Sequence, residues 1–334
     1  MIIGDPNYFT KEHIEKYRHN TTPVLAEQVV HSMELVALLV HKGLNFMFKG
    51  GNSLLVLLEN PQRFSIDVDI ASDETKERVE EILQEIIKDS DVFIRWEKRP
   101  HKTKPWLPMT SYYIYYKSHF TEPAETNIML DVQLKMSLYK KMKKPVCCGN
   151  FYKSKIDVLV PTISSLIGDK LLTLGPSTLG IPLNKGKEAQ RLKHAYDISL
   201  LAKNSPYIAE MRESINYCIE QENALQKTSF SIKEIFEDTL NLCRAVASFK
   251  EEPEDKDLPP YLSELVRGRN PFAEHLLSGT YSWEELQTDL ARAAICFAAI
   301  ISNIPEKEFH EILSYNQNNS LFIYWNKIIN WIEE

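Results

Sequence analysis

Two aspartates alternate with apolar residues in the segment Ile66 to Ile70, and this pattern constrains the fold more than any other feature. Side chains two apart on a β-strand point to the same face, so Asp67 and Asp69 share one face and the apolar side chains share the other. Two carboxylates on one face repel each other unless a cation lies between them, and Mg²⁺ prefers such oxygen ligands. The segment predicts a half-buried, metal-binding strand over 66–71; an exposed strand with two solvated acids is the alternative.

A glycine-rich turn precedes that strand. The sequence KGGNS at 49–53 lies between a short apolar strand candidate and the start of a helix. Gly50 and Gly51 allow the backbone to turn tightly and to approach a ligand closely. Lys49 and the Ser53 hydroxyl could add to phosphate binding beside the N–H groups of the helix start. A simple turn is the alternative, and the segment is not a Walker A loop.

A third carboxylate lies in the later strand candidate NIMLDVQL, over 127–134. The apolar neighbours place Asp131 on the polar face of its strand, as in the first strand. If the two strands pair, Asp131 lies beside Asp67 and Asp69. Three carboxylates of this kind could hold two metal ions, clamp a triphosphate and activate a hydroxyl. Phosphoryl-type transfer needs mainly such positioning and charge neutralisation.

The remaining pattern divides the chain into an α/β first part and a helical second part, with the boundary near residue 161. Its 334 residues exceed one compact core, which supports two domains. The pattern predicts helices over 10–43 and 74–88, the second capped by Ser72, further strands over 92–96, 111–116 and 157–160, and an acidic linker over 251–260.

No apolar stretch approaches the roughly 20 residues that span a bilayer, and the start of the sequence lacks the features of a signal peptide. We therefore expect a cytoplasmic protein without a membrane partner. The five cysteines include no C-x-x-C, so the sequence predicts neither a disulfide framework nor a zinc site.

The charge is unevenly distributed. The net charge is −7, which argues against nonspecific coating of nucleic acid. However, the segment from Lys98 to Lys144 contains ten Lys and Arg residues and only three acidic residues. This excess fits either a basic face for a nucleic-acid partner or lysines that protect the edges of a sheet.

The three acids and the glycine turn together resemble the DNA polymerase beta-like nucleotidyltransferase superfamily, and more closely the AbiEii/AbiGii toxin family. That family has K-G-G-T-S-L followed by R-F-S-x-D-h-D-h. Here the sequence is KGGNSL at 49–54, with Asn52 in place of Thr, and RFSIDVDI at 63–70. The resemblance implies an α+β fold, with a mixed sheet flanked by helices over 1–160 and an all-helical domain over 161–334 that closes the active-site cleft.

The resemblance continues into the helical half. The family's E-K-L corresponds to Asp169-Lys170-Leu171, and its R-x-K-D-x-x-D-L corresponds to residues 191–198, where His194 replaces the first Asp. It implies that Lys170 contacts the triphosphate and that Asp197 acts in catalysis. As alternatives, Lys170 covers a helix surface, and Asp197 pairs with Lys193 on its own helix.

The resemblance implies Mg²⁺-dependent transfer of a nucleoside monophosphate from an NTP to an acceptor hydroxyl. It also implies a toxin of a toxin–antitoxin or phage-defence system, with a cognate antitoxin and with RNA, such as a tRNA end, as the acceptor. A small-molecule or protein acceptor and an inactive nucleotide-binding protein are the alternatives. The candidate residues for one or two Mg²⁺ ions and for catalysis are Asp67, Asp69 and Asp131, and Asp197 is a further candidate for catalysis. The candidate residues for binding the nucleotide are Lys49, Gly50, Gly51, Ser53, Arg63, Ser65 and Lys170. Arg63 and Ser65 could instead orient the strand of the two aspartates.

Overall fold

The protein is described by a computed structural model that covers residues 1–58, 61–100, 108–302, 304–314 and 320–333. The chain folds into two compact units. Unit 1 comprises residues 1–137, 141–161 and 274–279, and unit 2 comprises residues 138–140, 162–273 and 280–334.

Unit 1 is built on one seven-stranded mixed sheet. Its strands are β1 (Met47–Lys49), β2 (Val68–Ala71), β3 (Phe93–Arg99), β4 (Met109–Lys117), β5 (Glu125–Gln133), β6 (Lys141–Cys148) and β7 (Tyr152–Pro161). Their order in the sheet is β3-β4-β5-β2-β1-β7-β6. The pairs β2–β5 and β1–β7 are parallel and the others are antiparallel. The prediction of a mixed sheet flanked by helices is confirmed, whereas β6 was not predicted.

The helices of unit 1 are α1 (Lys11–Tyr17), α2 (Pro23–His41), α3 (Leu54–Leu57) and α4 (Lys76–Asp89), preceded by a 3-10 helix, Pro6–Phe9. The predicted helix over 10–43 is therefore interrupted before α2. Thr22 caps α2 by accepting a hydrogen bond from the backbone N–H of Leu25 at 3.2 Å. The prediction that Ser72 caps α4 is wrong: Thr75 caps it, and the Ser72 hydroxyl donates to the carbonyl of Asn45 at 2.6 Å.

α2 is the apolar centre of unit 1. Among the helices that the structure describes, it alone is long and apolar enough to cross a membrane, yet 78% of that stretch is buried inside the protein. Its His31 ring stacks on Tyr116 of β4 with 3.6 Å between ring centroids. Burial lowers the pKa of His31 to about 3, so this histidine is a neutral core residue.

The basic stretch between Lys98 and Lys144 does not lie on one strand or one edge. Lys98 belongs to β3, the strand at one edge of the sheet, while Lys141, Lys143 and Lys144 belong to β6 at the other edge. Lys102 and Lys104 lie outside the described residues. This division favours the interpretation that the lysines protect exposed strand edges from pairing with another chain.

Unit 2 is helical, as predicted for the chain after Pro161. Its helices are α5 (Ile163–Leu171), α6 (Glu188–Ala202), α7 (Ile208–Gln226), α8 (Ile232–Ala247), α9 (Pro260–Ala273), α10 (Trp283–Ile301), α11 (Glu306–Leu313) and α12 (Ser320–Glu333). α10 is the most buried of them and packs against α6, α7, α8 and α12. All five cysteines of the chain are free, and four of them are buried.

Candidate active site

One row of paired residues crosses the centre of the sheet of unit 1. Lys49 of β1 pairs with Asp69 of β2, Asp69 pairs with Asp131 of β5, and Asp131 pairs with Ser111 of β4. Residues paired across neighbouring strands point to the same face, about 4.8 Å apart. The structure thus places two of the predicted carboxylates side by side on one face of the sheet, which we call the carboxylate face.

The polar groups around this row hold its side chains in place. The Ser111 hydroxyl donates a hydrogen bond to the Asp131 carboxylate. The Lys49 ammonium donates to the side-chain oxygen of Gln133 at 3.3 Å. Sequence reasoning identified neither Ser111 nor Gln133 as site residues, because their roles depend on strand register. Alternation within SYYIYYK does place Ser111 on one face with Tyr113 and Tyr115, which is the signal available in the sequence.

Asp67 lies just before the paired part of β2, since the strand begins at Val68 rather than at the predicted residue 66. Its carboxylate is half-buried. The preceding backbone is held by α2, where the Ser32 hydroxyl donates to the carbonyl of Ile66 at 2.8 Å. Asp67 therefore lies outside the row, two residues before Asp69 along the chain.

The described residues contain no group of three or more His, Cys, Asp or Glu side chains gathered closely enough to hold a metal ion. A metal site made by Asp67, Asp69 and Asp131 together therefore stays a prediction. The donor chemistry nevertheless fits Mg²⁺, because this ion is commonly held by one or two carboxylates while substrate phosphates and water complete its shell. Asp69 and Asp131 supply such a pair by register.

The glycine turn packs directly against this row. Gly50 has φ +71°, and a Cβ atom built on it would lie 2.0 Å from an oxygen of the Asp69 carboxylate. A Cβ atom on Gly51 would lie 2.8 Å from the guanidinium of Arg63 and 3.1 Å from the hydroxyl of Ser65. Gly50 is thus required by backbone conformation and by space, whereas a side chain at Gly51 would displace the Arg63 guanidinium. The KGG and RFS motifs meet here.

The next two residues of the turn are fully buried. The Ser53 hydroxyl donates to the carbonyl of Gly50 at 2.9 Å and closes the turn that leads into α3, a helix of one turn. The Asn52 amide has no hydrogen-bond partner among the described residues, although none of its surface is exposed. A buried amide in this state is costly, so Asn52 is a position where a bound group or a water molecule would be stabilising.

Arg63 is buried and forms an isolated bridge with Leu276, and the backbone N–H of Phe64 donates to the carbonyl of His275 at 2.9 Å. This pairing explains why residues 274–279 belong to unit 1. The Arg63 guanidinium also donates to the carbonyl of Phe64 at 3.2 Å and lies beside Gly51. These contacts favour the interpretation in which Arg63 orients the strand of the two aspartates.

The remaining predicted site residues, Lys170 and Asp197, lie in unit 2. The Lys170 ammonium and the Asp197 carboxylate form an ion pair at 2.8 Å, with 3% and 0% of their side chains exposed. The alternative in which Lys170 covers a helix surface is therefore wrong. This pair joins α5 to α6, and its two residues, one from each family motif, are 27 positions apart in sequence.

Arg191, at the start of the second of these motifs, is fully buried and was not predicted to have a role. Its guanidinium donates to the carbonyls of Leu174 and Ile181 and lies 3.9 Å from the Glu264 carboxylate. It therefore fixes the loop between α5 and α6, the loop that carries GPSTLGIPLNKGK.

Comparison with known proteins agrees with this architecture. A family model described as the nucleotidyl transferase AbiEii toxin of type IV toxin–antitoxin systems matches residues 35–289. No curated protein matches the chain. The matched range spans the glycine turn, the sheet row, the buried ion pair and the helices up to the middle of α10.

Proposed function

Because the chain belongs to the AbiEii family of toxin nucleotidyltransferases, we propose that it transfers a nucleoside monophosphate from an NTP to a hydroxyl of RNA, with release of pyrophosphate. The family itself establishes a nucleotidyltransferase of a toxin–antitoxin system. The observation that carries the finer proposal is the register pairing of Asp69 with Asp131 beside the Gly50 turn.

In this proposal the carboxylates of Asp67, Asp69 and Asp131 hold one or two Mg²⁺ ions. When bound, Mg²⁺ would neutralise charge on the triphosphate and on the group being transferred. Asp131 lies next to the acceptor hydroxyl and accepts its proton. Ser111 keeps the Asp131 carboxylate in one orientation through the hydrogen bond that it donates.

The triphosphate in the proposal lies over the glycine turn. Gly50 and Gly51 allow the turn to pack against Asp69 and Arg63, and Lys49, in the same row as the carboxylates, supplies a positive charge. Arg63 and Ser65 pack against Gly51 and support the turn. Ser53, whose hydroxyl already bonds within the turn, acts on its shape rather than on the phosphates.

In this proposal the Lys170 ammonium also binds the triphosphate. Asp197 would hold Lys170 in place, since a lysine that is paired and nearly fully buried has a restricted side chain. The same reasoning makes Asp197 a positioning residue for the reaction. We propose a cognate antitoxin as the protein partner and the cytosol as the compartment.

The test is label transfer. Purified protein is incubated with Mg²⁺, total RNA and each of the four NTPs labelled at the α-phosphate, and products are separated by size. The proposal expects labelled RNA from the wild type, and none from Asp67→Ala or after chelation of the metal. Label found in small molecules or in protein bands would show that the acceptor is not RNA. Label transfer by Asp67→Ala would contradict the role of that carboxylate.

A further inference from the structure

The carboxylate face continues beyond Asp131 as a surface of aromatic and arginine side chains. On β4 the residues alternate in burial: Tyr112, Ile114 and Tyr116 have no more than 1% of their surface exposed, whereas Tyr113 and Tyr115 are half-buried. The buried set faces the helices, since Tyr112 donates to Glu80 of α4 and Tyr116 stacks on α2. The half-buried tyrosines therefore share the face of Ser111 and Asp131.

Arginines of the edge strand lie over these two rings. The guanidinium of Arg95 lies 3.4 Å from the centroid of the Tyr115 ring, and that of Arg99 lies 5.9 Å from the centroid of the Tyr113 ring. Arg99 is paired across β3–β4 with Ser111, so it extends the row that contains Asp131. We call Arg95, Arg99, Tyr113 and Tyr115 the Tyr–Arg surface.

The two halves of this surface differ in how firmly they are held. Arg95 forms ion pairs with Glu97 and Glu125, and the Tyr115 hydroxyl donates to Glu97 at 2.9 Å. With one arginine and two glutamates, this half has a net charge of −1, and the Tyr115 ring is already covered by Arg95. Arg99 is exposed and contacts the sulfur of Met129. The positive charge of the surface therefore lies with Arg99, next to the Tyr113 ring.

We infer that the Tyr–Arg surface binds the single-stranded end of the RNA acceptor, with a base stacked on Tyr113 and a phosphate or base plane held by Arg99. Single-stranded RNA is recognised by stacking on aromatic rings and on guanidinium planes, together with positive charge along its backbone. The inference rests on the proposed function, because it takes the acceptor to be RNA.

The spacing supports this occupant. Tyr113 is two residues from Ser111 along β4, which is about 7 Å of strand. Successive nucleotides of a stacked strand are separated by roughly 3.4 Å. If the hydroxyl of the terminal nucleotide lies at Asp131, the base of the nucleotide one or two positions before it would thus lie over Tyr113. A free amino acid or a small alcohol would be too short to reach both places.

The experiment compares matched variants by direct binding and by catalysis. Tyr113→Leu removes the ring and keeps an apolar side chain, and Tyr113→Phe keeps the ring. Arg99→Gln and Lys98→Gln remove the same charge from neighbouring residues of one strand, but Lys98 faces α4, where it pairs with Glu80 at 3.0 Å. Binding of a fluorescent unstructured RNA oligonucleotide is measured by anisotropy without NTP, and the KM for RNA is measured in the label-transfer reaction.

We expect Tyr113→Leu to weaken RNA binding by about 5- to 150-fold and to raise the KM for RNA in parallel, with Tyr113→Phe close to the wild type. Arg99→Gln should weaken binding and reduce its salt dependence, while Lys98→Gln should change binding less than about twofold. Binding of NTP, measured by calorimetry, should be the same in all four variants.

Equal RNA affinity for Tyr113→Leu and Tyr113→Phe would overturn the inference while leaving the proposed function intact, provided the wild type labels RNA. Equal effects of Arg99→Gln and Lys98→Gln on RNA binding would also overturn it, because they would show that binding depends on the overall charge and not on the position of Arg99. If the wild-type protein labels only protein or small molecules, RNA is not the acceptor. This outcome is seen before any variant is compared.

Discussion

The buried ion pair between Lys170 and Asp197 allows structural and catalytic roles to be separated. The substitution Lys170→Met removes the ammonium that pairs with the Asp197 carboxylate, a group with 0% of its side chain exposed. Breaking one side of a buried pair costs about 3–5 kcal/mol, whereas replacing both partners with apolar residues of similar volume is close to neutral. The double variant Lys170→Met/Asp197→Leu should therefore recover most of the stability lost by either single variant.

The assay is thermal unfolding followed by calorimetry, with label transfer measured on the same preparations. For a unit of this size, 3–5 kcal/mol corresponds to a fall in Tm on the order of 6–20 °C. The exposed pair of Lys140 and Glu210, at 3.4 Å with 56% of the Lys140 side chain exposed, is the matched control. Lys140→Met should cost less than about 1 kcal/mol.

The double variant decides the functional question. We predict that it is as stable as the wild type within about 1.5 kcal/mol and yet inactive, because the ammonium proposed to bind the triphosphate is gone. A stable double variant with wild-type activity would refute the role of Lys170. A Lys170→Met variant as stable as the Lys140→Met control would refute the energetic reasoning.

Three further predictions concern the glycine turn, the sheet row and the core of unit 2. Gly50→Ala should abolish label transfer, because its Cβ would lie 2.0 Å from the Asp69 carboxylate, whereas Gly43→Ala, at φ +80° with nothing within 4 Å, should cost only about 1–2 kcal/mol and leave activity unchanged. Ser111→Ala should lower kcat by about 10- to 150-fold without changing NTP affinity, since it loses a hydrogen bond to a carboxylate; unchanged kcat would show that this bond is not needed. Burial raises the pKa of Asp289 from 3.8 to about 7, so its contribution to stability is fully present below 3.8 and is lost as the pH rises through 7. In urea unfolding, the stability of Asp289→Asn relative to the wild type should therefore rise by about 2 kcal/mol between pH 5.5 and 8.5, and a pH-independent difference would contradict this.

The alternation of polar and apolar residues was sufficient to predict which face of a strand is polar. Alternation alone placed Asp69 and Asp131 on the polar faces of β2 and β5, and the structure pairs them in register. It failed where the pattern is weak: β6 carries Pro145 and three lysines and was not recognised as a strand. The cap of α4 was misplaced because Ser72 and Thr75 are equally suitable by residue type, and the backbone geometry selects Thr75.

Features that depend on distant pairing could not be read from one sequence. The hydrogen bond from Ser111 to Asp131 depends on the β4–β5 register. The basic stretch looked like a single patch because a linear count ignores strand order, which sends its members to opposite edges of the sheet. The partnership of Lys170 with Asp197 was likewise hidden, although the family motifs singled out both residues.

The measurement that tests the central claim most directly compares label at the α- and γ-phosphates of the same NTP, with RNA as acceptor, in the wild type and in Asp131→Asn. We expect the α label to enter RNA while the γ label leaves in pyrophosphate. Asp131→Asn should reduce both by at least about 100-fold, since a metal-binding carboxylate is worth several kcal/mol in the transition state. Entry of the γ label into RNA, or undiminished α-label transfer by Asp131→Asn, would contradict this expectation.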